Sequence, residues 1–182
     1  MYKRQGYIVE VEKTKEKPIS ILLNNKKTVT SKLIKEFPCT PIHNNTFSFT
    51  NASPDFRRKL LDRSIFIAED NFSSNWFSYY RALKQRNSIL KNNRISDIYA
   101  WNEMIVEEGT KLDNYRKDFF DKTIEEFHTL LEILKPYNVF DFFDVINISL
   151  FQGWDNEKSL LKILEENKQT DIRRKTTTSG PH

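Results

Sequence analysis

The chain has 182 residues and a mass of 21.7 kDa, the length of one domain or of one domain with a large insertion, which excludes a multidomain machine. Hydrophobic residues make up 38% and charged residues 30%, which excludes the disordered class, and the four glycines (Gly6, Gly109, Gly153, Gly180) stand far apart, which excludes every Gly-rich phosphate cradle. The 29 basic against 25 acidic residues give a net charge of +4, an excess that permits nucleic-acid binding without demonstrating it.

The first fifty residues read as a β meander with a loop. Tyr7, Val9 and Val11 alternate with Ile8, Glu10 and Glu12, and a second run, Ile19 to Leu23, reaches Asn24-Asn25, a pair that tolerates the positive φ of a tight hairpin turn. Thr28 to Thr30 is expected as the returning strand. Ser31 then caps a short helical turn through Phe37, ended by Pro38, with Pro41 keeping the next segment extended.

From Ser53 the period changes from two to near 3.6. Ser53 is an N-cap residue, Pro54 suits the first helical position, and Asp55 suits the positive end of the helix dipole. Phe56, Leu60 and Leu61 are expected on its apolar side, with Arg58 and Asp62 paired on the other. A second helix is expected from about Asn71 to Asn92, with Phe72, Trp76, Tyr79, Tyr80, Leu83 and Leu90 on one stripe. The third and longest signal runs from near Ser96 to Leu134, its second half keeping a seam of Phe120, Ile124, Phe127, Leu131 and Leu134, with Gly109 as a candidate interruption. Unbroken, it would project nearly 60 Å at about 1.5 Å per residue, so it reads as an arm. Pro136 ends the arm, Val145 to Leu150 returns to strand character, Ser159 to Glu166 forms a short helix, and three threonines after Arg173, Arg174 and Lys175 carry strand propensity.

Few residues offer chemistry. Cys39 and His43, with His128 and His182, lack the second closely spaced ligand pair that a zinc site needs, so Cys39 reads as a small buried side chain and His43 as a solvated one. Asp141 and Asp144 stand among Phe140, Phe142 and Phe143 without a nucleophile or base nearby, and read as charges flanking an aromatic core. No catalytic or metal residue is assigned. The lone cysteine excludes an intrachain disulfide, no run of 18 apolar residues exists to span a membrane, and Lys3, Arg4 and Glu10 make the start unlike a signal peptide, so a cytoplasmic location is expected.

The basic residues are more informative. Lys84, Lys91 and Arg94 fall within roughly 80° of one another on the second helix, with Arg81 further round, and can form a positive face that tracks phosphates. Arg57, Arg58, Lys59 and Arg63 on the preceding helix add to it. Trp76, Tyr79 and Tyr80 could stack on bases, but their helical spacing favours core packing.

The stretch Ser53-Pro54-Asp55-Phe56-Arg57-Arg58-Lys59-Leu60-Leu61-Asp62, then Trp76, then Tyr80-Arg81-Ala82-Leu83-Lys84-Gln85-Arg86-Asn87-Ser88-Ile89-Leu90-Lys91, resembles the bacterial RecF family of DNA replication and repair proteins. Trp101, Gly109, Tyr115 with Arg116, Gly153-Trp154, and Thr177 through Gly180-Pro181-His182 fall where that family has equivalents, and Leu33 to Asn51, including Phe47, is similar to its gammaproteobacterial loop. Ala52 and Ser64 depart from usual glycines, and Thr40 from a frequent glutamine near the nucleotide.

The resemblance implies an α+β fold: a small antiparallel β region from the first lobe of an ATP-binding-cassette head related to SMC proteins, plus an inserted long-helix lobe. It divides the chain into a partial β lobe (1–52), a helical lobe (53–138), and a return strand, short helix and rejoining strand (139–182). It implies that the phosphate-binding loop would precede Met1 and that the signature helix and the acids serving magnesium would follow His182. This chain alone is then expected to hold no cofactor and to show no ATP hydrolysis, ATP and magnesium belonging to the full-length family. Implied partners are single-stranded or gapped DNA, the RecO and RecR proteins in placing RecA, and a second copy in an ATP-dependent dimer; the implied role is recombinational repair in support of the SOS response. DNA contacts are expected at Arg57, Arg58, Arg81, Lys84, Lys91 and Arg94. The alternative is a non-catalytic interaction or remnant module without DNA binding of its own, its sheet edge left open.

Overall fold

A computed structural model describes residues 6–15, 18–39, 51–92, 95–137 and 147–182. Pro41, His43, Phe47 and Thr40, Arg94, and Asp141 and Asp144 with their neighbouring phenylalanines lie outside the described residues. The chain divides into two compact units, Met1–Ala52 and Ser53–His182.

In the first unit, β1 (Val9–Glu12), β2 (Ser20–Leu23) and β3 (Lys26–Thr28) form an antiparallel sheet in the order β1-β2-β3, with Val9 opposite Leu23 and Ile21 opposite Thr28. Asn24 and Asn25 make the turn at φ 50° and 63°, the two positive values that match a two-residue hairpin to strand twist. Asn24 Oδ1 also accepts from the Ile8 backbone N–H at 2.9 Å, fixing the register of β1. Ile21 is the one buried side chain among the described residues of this unit. Helix α1 (Thr30–Glu36) starts after an extended Val29, whose carbonyl takes the Lys32 and Leu33 amides. Val29, and not Ser31, therefore caps the helix, and the returning strand ends at Thr28. Cys39 is exposed, contrary to the expectation of a buried thiol.

The second unit is helical: α2 (Pro54–Ala68), α3 (Phe72–Lys91), α4 (Ile98–Leu134), α5 (Leu160–Glu166) and α6 (Lys168–Arg174). Ser53 caps α2 by accepting from the Phe56 amide, and Ser159 caps α5 by accepting from Lys162. The buried face of α2 carries Asp62 and Ile65, with Leu61 packed against the core as expected, while Phe56 and Leu60 are exposed, so the helix is rotated from the face that its apolar residues marked. Asp62 does not pair with Arg58. Arg58 instead approaches Asp55 at 4.0 Å, and Asp62 turns inward to Arg116.

Helices α3 and α4 run antiparallel, with Asn75 bonded to Glu108 and Arg86 to Asn102. Their facing stripes follow alternating three- and four-residue steps: Phe72, Asn75, Tyr79, Ala82, Arg86 and Leu90 on one, Ile98, Asn102, Ile105, Gly109, Leu112 and Arg116 on the other, all buried. Gly109 does not interrupt α4. A Cβ there would meet Leu160 Cδ2 at 3.0 Å and Tyr79 Cε2 at 3.1 Å, so the missing side chain is what lets α5 and α3 close on α4. Ile65, Trp154, Leu160, Ile163 and Leu164 complete the core. Past Arg116 none of α4's described residues is fully buried, and the seam of Phe120, Ile124, Phe127, Leu131 and Leu134 is half-buried.

Two expected strands are absent among the described residues. Residues 147–150 adopt no regular structure, and residues 176–182, instead of forming a strand, fold back as a tail after α6. Side-chain bonds to the helices, described below, take the place of a strand's ladder for this tail.

Candidate nucleic-acid interface and the clamp behind it

Helix α3 contains Arg81, Lys84, Arg86 and Lys91 and no acidic residue. Arg81, Lys84 and Lys91 are exposed, as is Arg57 on α2, while Arg58 is half-buried. Arg81, Lys84, Ser88 and Lys91 are spaced by three and four, so the helix carries a stripe of three cations, with Ser88 between the two lysines, on the side away from α4. An open concavity of about 430 Å³ lies on this side, lined by Leu83, Lys84, Asn87, Ser88 and Lys91. The aromatic residues keep to the packed side. Tyr79 is buried, Trp76 stacks at 4.2 Å on Tyr80, and Trp76 Nε1 donates to Asp62 Oδ2 at 3.0 Å, so none is displayed as a base-stacking platform.

Directly behind the positive stripe is a buried polar clamp. Arg86 has no exposed surface; its Nε donates to Asn102 Oδ1, and its Nη1 donates to Asp171 Oδ2 and to Thr177 Oγ1, each at 2.7 Å. Asp171, equally buried, accepts through Oδ1 from the Thr178 amide at 2.9 Å and hydroxyl at 2.7 Å. Thr177 in turn donates through its amide and its hydroxyl to Asn87 Oδ1, both at 2.7 Å. These bonds take the place of a β ladder for residues 177 and 178.

Residues 180–182 have an anchor of their own. Arg116 donates through Nε and Nη2 to the two oxygens of Asp62 at 2.7 and 2.8 Å, and through Nη1 to the Pro181 carbonyl. Burial opposes the Arg116 charge, but the Asp62 hydrogen bonds and charge outweigh it and hold its pKa above the ordinary value. The Tyr79 hydroxyl lies 2.8 Å from His182 Nδ1, and His182 Nε2 lies 3.3 Å from the Thr177 carbonyl. A carbonyl only accepts, so the proton sits on Nε2 and Tyr79 donates to Nδ1. Burial pushes the His182 imidazole below its usual pKa and the Tyr79 phenol above its own. Gly180, at φ 143°, leaves room for this contact.

Sequence reasoning placed Arg81, Lys84 and Lys91 on one face but missed Asp62, Arg86, Asn87, Arg116, Asp171 and Thr177 as a connected set. The available signal was the polar interruption of an apolar stripe at Arg86 and at Arg116. His182 is part of the anchor, and among the described residues no group of three His, Cys, Asp or Glu side chains could hold a metal ion.

No family model matches the chain. It is 31% identical over 157 residues to the DNA replication and repair protein RecF of Hahella chejuensis, covering 84% of this chain and 41% of that protein. It is 28% identical over 151 residues to RecF of a Marinomonas species, covering 82% and 39%. Among solved structures, that of the recombination mediator protein RecF with ATP, in the RecFOR pathway, superposes with a TM-score of 0.69 over 96% of this chain and 49% of that one, at 20% identity, a likeness of fold. The chain thus spans about two-fifths of the curated relatives it matches. Sequence and α+β fold agree in their likeness to RecF over most of this chain's own length.

Proposed function

We propose that this chain supplies DNA-binding surface to a RecF-like recombination mediator. Arg81, Lys84 and Lys91 of α3 contact phosphates, with Arg57 and Arg58 of α2 extending the path and Arg94 added from the sequence pattern. The DNA is gapped duplex or a single-strand to duplex junction, in the cytoplasm. The observation that carries the reading is the RecF likeness over 84% of the chain, and an exposed helix face with three cations and no acid supports it. Cations so arranged neutralise phosphates without reading bases, so binding is strong at low salt and indifferent to sequence. In the whole protein this surface acts with an ATP-dependent dimer and with RecO and RecR to place RecA, supporting the SOS response.

Among the described residues no cradle fits a nucleotide's phosphates. The four glycines are isolated, and Gly153 and Gly180, the two at positive φ, pack on each other through the Gly180 amide and the Gly153 carbonyl.

Fluorescence anisotropy with a labelled gapped duplex tests the reading. The wild-type chain should bind at about 50 mM salt, and R81E/K84E should weaken binding at least about tenfold, two phosphate contacts being replaced by repulsion. Equal binding by both proteins would refute it. A second reading, an interaction module without DNA binding, is favoured by the edge strand β1, whose four residues are all exposed. It predicts concentration-dependent self-association in sedimentation and no anisotropy change with DNA.

A further inference from the structure

We infer that the α3 concavity is a phosphodiester site whose directional donor is the Asn87 side-chain amide, aimed by the docked tail. This deepens the DNA-binding reading and rests on it. Asn87 stands one turn after Lys84 and one turn before Lys91, beside Ser88, and all four line the concavity. Its orientation is set by chemistry and not by convention. The Thr177 backbone N–H can only donate, so the atom it meets at 2.7 Å must be the amide oxygen, and the NH₂ group must face away from the tail. That NH₂ has no partner among the described residues, and Asn87 is half-buried in the wall of the concavity.

The Thr177 hydroxyl is equally constrained. It accepts from Arg86 Nη1, so its proton is left for Asn87 Oδ1. A continuous chain therefore runs from the buried Asp171 carboxylate through Arg86 and Thr177 to Asn87, and ends in an oriented surface donor between two lysines. Lysines supply charge without direction, whereas a fixed amide N–H and the Ser88 hydroxyl supply direction without charge. A phosphodiester, with two anionic oxygens, uses both. Because Asn87 is held by Thr177, undocking of the tail releases the amide to rotate, and tail docking and phosphate binding strengthen each other.

The test is anisotropy titration of the labelled gapped duplex with the full chain and three variants, each checked for its thermal midpoint. Asn87→Asp keeps an oxygen for both Thr177 bonds, removes the outward donor and adds a negative charge. Gln85→Glu adds the same charge on the exposed surface of α3 outside the concavity. Thr177→Val deletes the hydroxyl's bonds to Arg86 and Asn87, leaving Asn87 only the Thr177 amide on a segment that has lost its Arg86 bond, and alters no charge. Asn87→Asp is expected to weaken binding about tenfold or more, the scale of losing a hydrogen bond to a charged group and gaining repulsion. Gln85→Glu should weaken it no more than about threefold, and Thr177→Val should weaken it several-fold. Asn87→Asp matching Gln85→Glu at an unchanged midpoint overturns this inference alone, as does wild-type affinity in Thr177→Val. Failure of the wild-type chain to bind overturns it together with the DNA-binding reading.

Discussion

Replacing Arg86 by methionine isolates the buried clamp. The substitution keeps a long flexible side chain in the stripe but removes the three bonds to Asn102, Asp171 and Thr177. Its main consequence falls on Asp171, which has no exposed surface and would keep only the Thr178 donors for its charge. Breaking a buried pair from one side costs about 3–5 kcal/mol, because the remaining charge is neither solvated nor paired. For a unit of this size that corresponds to a midpoint about 10–20 °C lower. The pair itself is worth much less than that loss, since Arg86 Nη2 is buried without a hydrogen-bond partner among the described residues and its desolvation is incompletely offset. The R86M/D171N double variant, in which no charge is left behind, should therefore recover about 1–3 kcal/mol relative to the sum of the single variants. Urea denaturation followed by tryptophan fluorescence measures all four proteins. A loss under about 1 kcal/mol for R86M, or strict additivity in the double variant, would refute the account of the clamp.

Further outcomes are expected. Gly180→Ala places a Cβ 2.9 Å from the Tyr79 hydroxyl and 3.0 Å from His182 Nδ1 at a positive φ, and should destabilise the tail by about 1–3 kcal/mol, read as faster hydrogen exchange of the Thr177 and Thr178 amides. Tail docking should also weaken in acid. Burial lowers the His182 pKa in the folded chain, with Arg58 and Arg116 adding to the shift and the Thr177 carbonyl and Asp171 opposing it. The unfolded chain thus binds the proton more readily, so this contribution is present above the unfolded value of about 6.5 and fades as pH falls toward the folded value. The same amides should exchange faster relative to the intrinsic rate at about pH 5 than at about pH 7.5 in the wild type, and the difference should shrink in His182→Gln.

The local signals in the sequence were those that depend on adjacent residues. Asn24-Asn25 marked the hairpin, Ser53-Pro54-Asp55 the start of α2, and the 3.6-residue period the extent of α3 and α4. The misses share a different cause. Asp62 read as solvent-facing because of its type, and Arg86 and Arg116 stood only as parts of the family pattern, although both occupy positions in the buried stripes. Their partners, Asp171 for Arg86 and Pro181 for Arg116, stand 85 and 65 residues away, beyond any periodicity. The same tertiary bonds explain why Thr176 to Thr178, good strand formers by propensity, do not form one. Gly109 looked like a break in a long helix, but the close approach of Tyr79 and Leu160 that requires it was invisible without the packing. On the candidate interface, the helical wheel was enough to place Lys84 and Lys91 together, whereas Asn87 gained meaning only from Thr177.

The salt dependence of DNA binding tests the central claim most directly. The affinity of the wild-type chain for a gapped duplex, plotted as log K against log salt concentration from about 50 to 200 mM, should give a straight line whose slope is reduced by about 2 in the Lys84→Gln/Lys91→Gln variant, about one unit for each phosphate left without its lysine. A slope identical in the two proteins would mean that these lysines do not meet phosphates, and the account of this face as a nucleic-acid surface would be wrong.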